Sequence, residues 1–309
     1  MQKIATIDLG TNSIHLLISE IYQDGHARVL FDQSKVVRLG QGLKQTGQIH
    51  PDAIKRCTDT LASYKTIIQD HQCKNVYMTA TCAMREASNA SSVKSILENI
   101  IQTPIEIIAK EEEARLSYIS VTYDVASSDR CLVTDIGGGS TEIAYGQGQR
   151  FEKGQSTSIG TVKLFEGTLW EDRPSQKNMD QTTLEIKQHL SELVVPKDIQ
   201  TFYATAGTFT LLASLACKLA TYTPLSIENF LLTQPHIEQL IENLRQLSLA
   251  EKKSLPGMMP ERADVALPGA LIALCLCDHL NTSRFIIRDR GIRFGKMMDV
   301  VGKITHLSL

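Results

Sequence analysis

No apolar run in the 309 residues approaches the roughly twenty consecutive residues that cross a bilayer, so a membrane-spanning helix is not expected. A leader pattern is missing too. Strand-like residues follow the first methionine almost at once, so a signal peptide is not expected. The seven cysteines are odd in number, scattered and without a CxxC pair, which favours free thiols in a reducing cytosol over a disulfide framework or a zinc site. An excess of positive charge is also lacking. Lys plus Arg total 32 against 34 for Asp plus Glu, a formal net charge of −2, which argues against a general nucleic-acid binder. Any polyanion must meet a local basic patch. What is present is apolar bulk: 42% hydrophobic residues, in a chain longer than the usual single domain, predict two cores and two domains. The expectation is a soluble cytoplasmic protein with neither nucleic acid nor membrane as partner.

The chain is organised around Leu132 to Tyr145, in which an apolar run ends in Asp135, three glycines follow, and a second apolar run begins after Ser140 and Thr141. This pattern predicts two antiparallel strands joined by a tight turn. Glycines at 137, 138 and 139 permit the positive φ values of an anion-binding nest, and without a Cβ they let a phosphate reach the main chain. Asp135 and Glu142 would flank such a nest with negative charge, which calls for a cation between them and the phosphate. An ordinary hairpin explains a lone glycine triplet equally well. The pattern is not alone, however. Ile7 to Ile18 matches it in register at Asp8, Gly10 and Ser13, and the repeat predicts two related halves facing one another across a cleft.

Between the hairpins, more extended chain is expected over Ala27 to Leu39, a helix from Pro51 to Ile68 and a buried strand from Asn75 to Thr81. A helix over Val93 to Ile101, a strand over Ile105 to Ile108 and a helix from Lys110 through Val121 follow. Strands first and then alternating helix and strand predict a mixed sheet with helices packed on it. Beyond the second hairpin, Arg150 to Ser158 leads to a glycine turn and a helix bearing Lys163. Helices are then predicted over Met179 to Val194, Phe209 to Leu219, Pro235 to Leu247 and from the 256–264 loop through Leu280. Strands over Thr201 to Ala204 and Arg284 to Arg288 separate them, and a helix closes the chain. Residues 1–117 should form domain I and 118–292 domain II, with the closing segment 293–309 packing back on domain I.

Arg85 follows the strand ending at Thr81, where ligands of open α/β sheets gather, and its planar fork suits a phosphate; a surface Arg85–Glu86 neighbourhood is the alternative. Glu111, Glu112 and Glu113 open a helix, where acidic residues favour the dipole by about 0.3–1 kcal/mol each. Hydrolysis, however, needs a carboxylate that takes a proton from water, and one of the three is a candidate base. Arg262 and Asp264, read from the residues alone, would form an ion pair fixing the start of the next helix.

Taken together, DLGTNSIHLLI, TATCAMREASN, EEEARLSYI and DIGGGSTEIAYG resemble the exopolyphosphatase/guanosine pentaphosphate phosphohydrolase (Ppx/GppA) family of the sugar kinase, actin and heat-shock chaperone superfamily. The resemblance covers essentially the whole chain and its short, two-domain form. It implies an α/β fold of two ribonuclease H-like (actin-like ATPase) domains, mixed sheets flanked by helices, with the active-site cleft between them. It further implies that Glu113 is the general base and that Asp8, Asp135 and Glu142 are the metal-site acids. The phosphate-binding positions it implies are Gly10, Thr11, Asn12, Ser13, Arg85, Gly137, Gly138, Gly139, Ser140, Thr141, Lys163 and Arg262. Three positions depart from the family pattern: Cys82 for serine, Lys163 for arginine, and Phe294 for the glutamate of the last helix. The implied cofactor is Mg²⁺ or Mn²⁺, with room for a monovalent cation, and the implied assembly is a homodimer. The expected reaction is hydrolysis of terminal phosphate from inorganic polyphosphate, with guanosine pentaphosphate (pppGpp) as alternative substrate. An ATP-binding kinase-like protein or a silent nucleotide sensor of the same superfamily is the reading from another class.

Overall fold

A computed structural model describes residues 1–126, 128–302 and 304–308. Its first lobe runs through strands β1 (Gln2–Leu9), β2 (Ser13–Ile21) and β3 (His26–Val36) and helices α1 (Leu43–Thr46) and α2 (Pro51–Asp70). It continues with β4 (Asn75–Ala80), α3 (Cys82–Glu86), α4 (Ala90–Ile101), β5 (Ile105–Ile107) and α5 (Lys110–Thr122). The second lobe begins with β6 (Arg130–Ile136), β7 (Thr141–Gln147), β8 (Arg150–Thr157), α6 (Thr161–Gly167) and α7 (Gln176–Leu190). After these come β9 (Thr201–Thr205), α8 (Ala206–Ala216), α9 (Pro224–Ile227), β10 (Leu231–Thr233), α10 (Gln234–Gln246) and α11 (Leu249–Lys253). A 3-10 turn at Pro260–Arg262 precedes α12 (Ala266–Leu280), β11 (Arg284–Ile287), α13 (Gly291–Val301) and β12 (His306–Ser308).

The strands form two six-stranded sheets, ordered β12-β3-β2-β1-β4-β5 and β10-β11-β9-β6-β7-β8. In each, an antiparallel meander is followed by a strand parallel to the first: β4 beside β1 and β9 beside β6. The sequence repeat is thus a structural one, and the two mixed sheets flanked by helices have the expected fold class. Register holds the repeat in detail, with Asp8 opposite His15 and Asp135 opposite Glu142.

Helix α2 shows why these segments take their places. Pro51 needs no N–H in a first turn, the His50 ring caps Asp52 N–H, and Ala53, Cys57, Leu61, Tyr64 and Ile68 line one buried stripe. That stripe and α4 cover one face of the first sheet, while α8, α10 and α12 cover the corresponding face of the second. The inner faces are covered by α13 against the first sheet and α5 against the second. These two helices cross in backbone contact. A Cβ at Gly295 would stand 2.1 Å from the Leu116 carbonyl oxygen, so only glycine fits the crossing. Phe294, where a glutamate was expected, is buried with Ile4, Leu17 and Met297 and packs α13 onto the first sheet.

The boundary expected at 117 falls inside α5, a single helix. The closing helix is shorter than expected. Gly302, at φ 84°, follows its last residue, and His306–Ser308 pair in parallel with His26–Arg28 of β3. Positions 303 and 309 of that segment lie outside the described residues. Helix α8 starts three residues earlier than expected, because Thr205 and Ala206 already turn the chain out of β9. No helix among the described residues is long and apolar enough to cross a membrane. All seven cysteines are free thiols.

Candidate active site

The two hairpin turns have the same construction. Gly10 N–H donates to Ser13 O at 2.9 Å, and Gly137 N–H donates to Ser140 O at 2.9 Å. The four residues of each turn line one cavity between the lobes. Their glycines do not work as expected: none of Gly10, Gly137, Gly138 and Gly139 has a positive φ. Close approach is the reason for them instead. A Cβ at Gly138 would lie 3.2 Å from Asn12 N, and one at Gly139 would lie 2.6 Å from Cys82 Sγ and 2.8 Å from Thr11 Oγ1. The second turn therefore abuts the first, and a side chain on it would push the lobes apart.

Into this cavity point Asp8 near the end of β1, Asp135 near the end of β6 and Glu113 on the first turn of α5. All three are buried. Burial pushes the Asp8 carboxyl up to about 8, the Glu113 and Asp135 charges push the same way, and Arg293 opposes them. Burial also raises Glu113, against the pull of Arg85, and raises Asp135, against the hydrogen bond from Ser117. Asp8 Oδ1 has no hydrogen-bond donor among the described residues, and Glu113 Oε2 is met only by the Arg85 guanidinium. Buried acids that repel one another, with Asp8 Oδ1 left without any partner, fit a hard cation, whose charge would reverse each of these shifts. Among the described residues no three such side chains form a ready-made cage, so water and ligand oxygens would complete the shell.

Several predicted residues sit behind the wall rather than on it. Glu142 is buried opposite Asp135 and accepts from Ser156 Oγ at 2.7 Å; burial and the nearby Glu113 and Asp135 charges raise it well above the usual carboxylate range. Thr141 bonds the Ile159 carbonyl at 2.8 Å and so fixes the turn. Arg85 does not line the cavity: its Nη1 lies 2.6 Å from Glu113 Oε2 and donates to Ile108 O at 2.9 Å. It is a partner of the candidate base, not a surface neighbour of Glu86. Lys163 lies at the rim, 2.9 Å from Glu86 across the lobes. Cys82, in place of serine, packs against Gly139, and burial lifts its thiol to about 11, so it stays protonated.

Arg262 does line the cavity, but it is not paired with Asp264. Its Nη2 donates to Ser13 Oγ and Ser34 Oγ, each at 3.1 Å, while Asp264 accepts from Arg38 of the other lobe. The chain between the two residues bends through the 3-10 turn. The arginine packs against Gly207, where a Cβ would stand 1.7 Å from Nη1. Sequence reasoning missed His15, Ser117 and the fixed place of Arg293. His15 lines the same cavity, and burial with the Arg293 and Arg262 charges holds its ring well below the usual pKa, hence neutral. Arg293 clamps Asp32 at 2.7 and 2.9 Å. The register Asp8↔His15 was the available signal for the first, and the spacing of Glu113 and Ser117 on one helix for the second.

Two sheet lobes of one plan, with glycine turns and buried acids meeting in the cleft between them, define a two-lobed α/β protein with a candidate active site in that cleft. Residues 17–304 match the Ppx/GppA phosphatase family, and the chain belongs to it. It is 30% identical over 284 residues to Exopolyphosphatase 2 of Mycobacterium tuberculosis, covering 88% of this chain and 89% of that one. It is 26% identical to the guanosine-5'-triphosphate,3'-diphosphate pyrophosphatase of Aliivibrio fischeri, covering 98% of this chain but 60% of that protein. Among solved structures, the exopolyphosphatase of Cytophaga hutchinsonii superposes with a TM-score of 0.87 at 26% identity, over 97% of this chain and 98% of that one.

Proposed function

We propose that this chain is a hydrolase of phosphoanhydride bonds that removes terminal phosphate from inorganic polyphosphate. The observation that carries this reading is the meeting, in one cavity, of both glycine turns with Asp8, Asp135 and Glu113. The near full-length likeness to an exopolyphosphatase supports the polymer as substrate. Turn N–H groups would hold the terminal phosphate oxygens, and Arg262 would meet the chain farther in. Glu113 orients a water and takes its proton, and its raised proton affinity suits that task near neutral pH. Arg85 keeps the Glu113 carboxylate in place. Asp8 and Asp135, with Glu142 behind them, would hold Mg²⁺ or Mn²⁺, which when bound supplies charge neutralisation of the phosphoryl oxygens.

A guanosine-bearing pentaphosphate is the second reading. It is favoured by the apolar wall of Leu211, Leu212 and Val265 beyond Gly207, and by the Aliivibrio fischeri relative. A homodimer and a cytoplasmic setting complete the proposal; they rest on the family and on the seven free thiols. The test is orthophosphate release from long-chain polyphosphate, pppGpp and ATP, side by side, with Mg²⁺ and with a chelator. Release from polyphosphate that stops in chelator is expected. A preference for pppGpp selects the second reading, and turnover of ATP with a sugar acceptor overturns both.

A further inference from the structure

Two arginines, one from each lobe, cross the cleft, Arg262 within it and Arg38 at its rim, and converge on one turn. Arg262 comes from the second lobe to Ser13 Oγ. Arg38, just after β3, goes the other way, sending Nη1 to Asp264 Oδ2 at 2.5 Å and Nη2 to Glu261 O at 3.1 Å. The backbone of the same short segment supports the first turn. Val37 N–H and Arg38 N–H both donate to Asn12 O, at 2.9 and 2.8 Å, and Gly40 N–H donates to Thr11 O at 2.8 Å. Arg38 therefore touches the phosphate turn with its main chain and the other lobe with its side chain.

Its backbone shows which of the two contacts demands an arginine. Arg38 has φ 51°, a left-handed conformation in which glycine is at ease and a side chain is disfavoured. The N–H bonds to Asn12 would survive with glycine, whereas the reach to Asp264 would not. Asp264 explains the need. It is 9% exposed, its Oδ1 has no donor, and among the described residues Arg38 is the cation within ion-pair distance of it. A buried carboxylate is tolerated while it is paired, and without the pair it is stabilised only by water, which means an open cleft.

The rest of the rim follows the same logic. Gly42 N–H meets the Glu166 carboxylate at 3.0 and 3.1 Å, Lys44 lies 3.8 Å from Glu185, and Lys163 lies 2.9 Å from Glu86. Each of these ties joins the first lobe to the second. The crossing of α5 and α13, by contrast, packs Leu116 and Ile292 together with backbone in contact at Gly295, and carries the Arg115–Asp299 ion pair at 2.5 Å on its outer side. One edge of the cleft is a packed joint, and the other is held by charge.

We propose that Arg38 is a positioning residue for the hydrolysis: by pairing with Asp264 it latches the second lobe over the Gly10–Ser13 turn, so that both glycine turns close together on a terminal phosphate. The identity of the ligand rests on the proposed function; the latch itself does not.

The test compares wild type, Arg38→Gly, Arg38→Lys, Asp264→Asn and the double variant Arg38→Gly/Asp264→Asn. KM and kcat for polyphosphate are read beside the radius of gyration of the free protein in solution and the melting temperature. Arg38→Gly should raise KM about five- to tenfold, as expected for losing a partly exposed charge-assisted hydrogen bond, with a smaller change in kcat. The free variant should be more expanded than wild type, and Arg38→Lys should recover part of the KM. The double variant should be no worse than Arg38→Gly alone, because both remove one interaction. Added salt should narrow the gap from wild type. Unchanged KM and radius in Arg38→Gly overturn the proposal. So do additive losses accompanied by a lowered melting temperature, which mark a merely structural pair. If wild type releases no phosphate from any substrate, the proposed function falls, while the comparison of radii still decides the latch.

Discussion

Ser117 Oγ donates to Asp135 Oδ2 at 2.8 Å, one helical turn beyond Glu113 on the same helix. Helix α5 thus carries the candidate base and also orients a carboxylate on the facing sheet, so the two cannot move independently. The hydrogen bond opposes the upward shift that burial imposes on Asp135. Ser117→Ala should therefore make Asp135 hold its proton more tightly and compete less well for a cation. A hydrogen bond to a charged group is worth about 1.5–3 kcal/mol, so the Mg²⁺ midpoint of phosphate release should rise about tenfold or more. The rise should be larger at pH 6 than at pH 8. Titrating Mg²⁺ against activity and against melting temperature checks this, and an unmoved midpoint in both would remove Ser117 from the site.

Glu113→Gln keeps the shape and the approach of Arg85 but cannot accept a proton from water. Turnover should fall by roughly 10²–10⁴, the range for losing a general base, while binding of a non-hydrolysed phosphate chain is retained. Rapid-quench turnover together with equilibrium binding separates the two. Wild-type turnover in this variant would rule out the assignment.

Much of the architecture was legible because it rests on local pattern. Asp8 and Asp135 each follow an apolar run and precede a glycine turn, and that repeat alone foretold two facing lobes. The site was legible only where one residue acts from its own strand or turn. Arg262 was expected in the cleft, where it lies, but the alternative reading paired it with Asp264, and that pair is not formed. The 3-10 turn separates them, and each bonds to a residue more than two hundred positions away in sequence, Ser13 and Arg38. The glycines of the second turn were read as supplying the positive φ of an anion nest and room for a phosphate, but they lack positive φ, and Asn12, Thr11 and Cys82 lie against Gly138 and Gly139. Such reasons live in tertiary contact between lobes, and no local period encodes them. Ser117 was hidden for a related cause, since a serine on a helix gains its meaning only from the carboxylate opposite.

The metal-free protein should be destabilised as pH rises. Asp8 is raised to about 8 in the folded chain against an unfolded value near 4, so the folded state prefers the protonated acid. The stabilisation this gives is fully present below about pH 4 and is lost as pH climbs through about 8. Glu113 and Asp135 are shifted in the same direction and add to the trend. Mg²⁺ should remove this loss by replacing the proton. Melting curves in chelator and in Mg²⁺ across pH 5 to 8.5 should diverge upward with pH. Parallel curves would show that no cation is held by these acids.

Gly139 and Gly160 offer a way to separate closing from folding. A Cβ at Gly139 would strike Cys82 Sγ and Thr11 Oγ1, both side chains of the opposite lobe. At Gly160 it would stand 2.5 Å from the Gly138 carbonyl and from Gly139 N, backbone of its own lobe that cannot rotate away. Gly139→Ala should therefore leave each lobe intact and hold the turns apart, raising KM about tenfold, near 1.4 kcal/mol, with little change in melting temperature. Gly160→Ala should distort the second glycine turn itself and lower both melting temperature and turnover, since overpacking against a fixed neighbour costs about 1–3 kcal/mol. Pairing Gly139→Ala with Cys82→Ala removes the sulfur from the first clash and should restore part of the KM, a non-additive result that neither single change gives. If Gly139→Ala instead unfolds the protein as Gly160→Ala does, the contact between the turns is needed for the fold and not only for closure over a ligand.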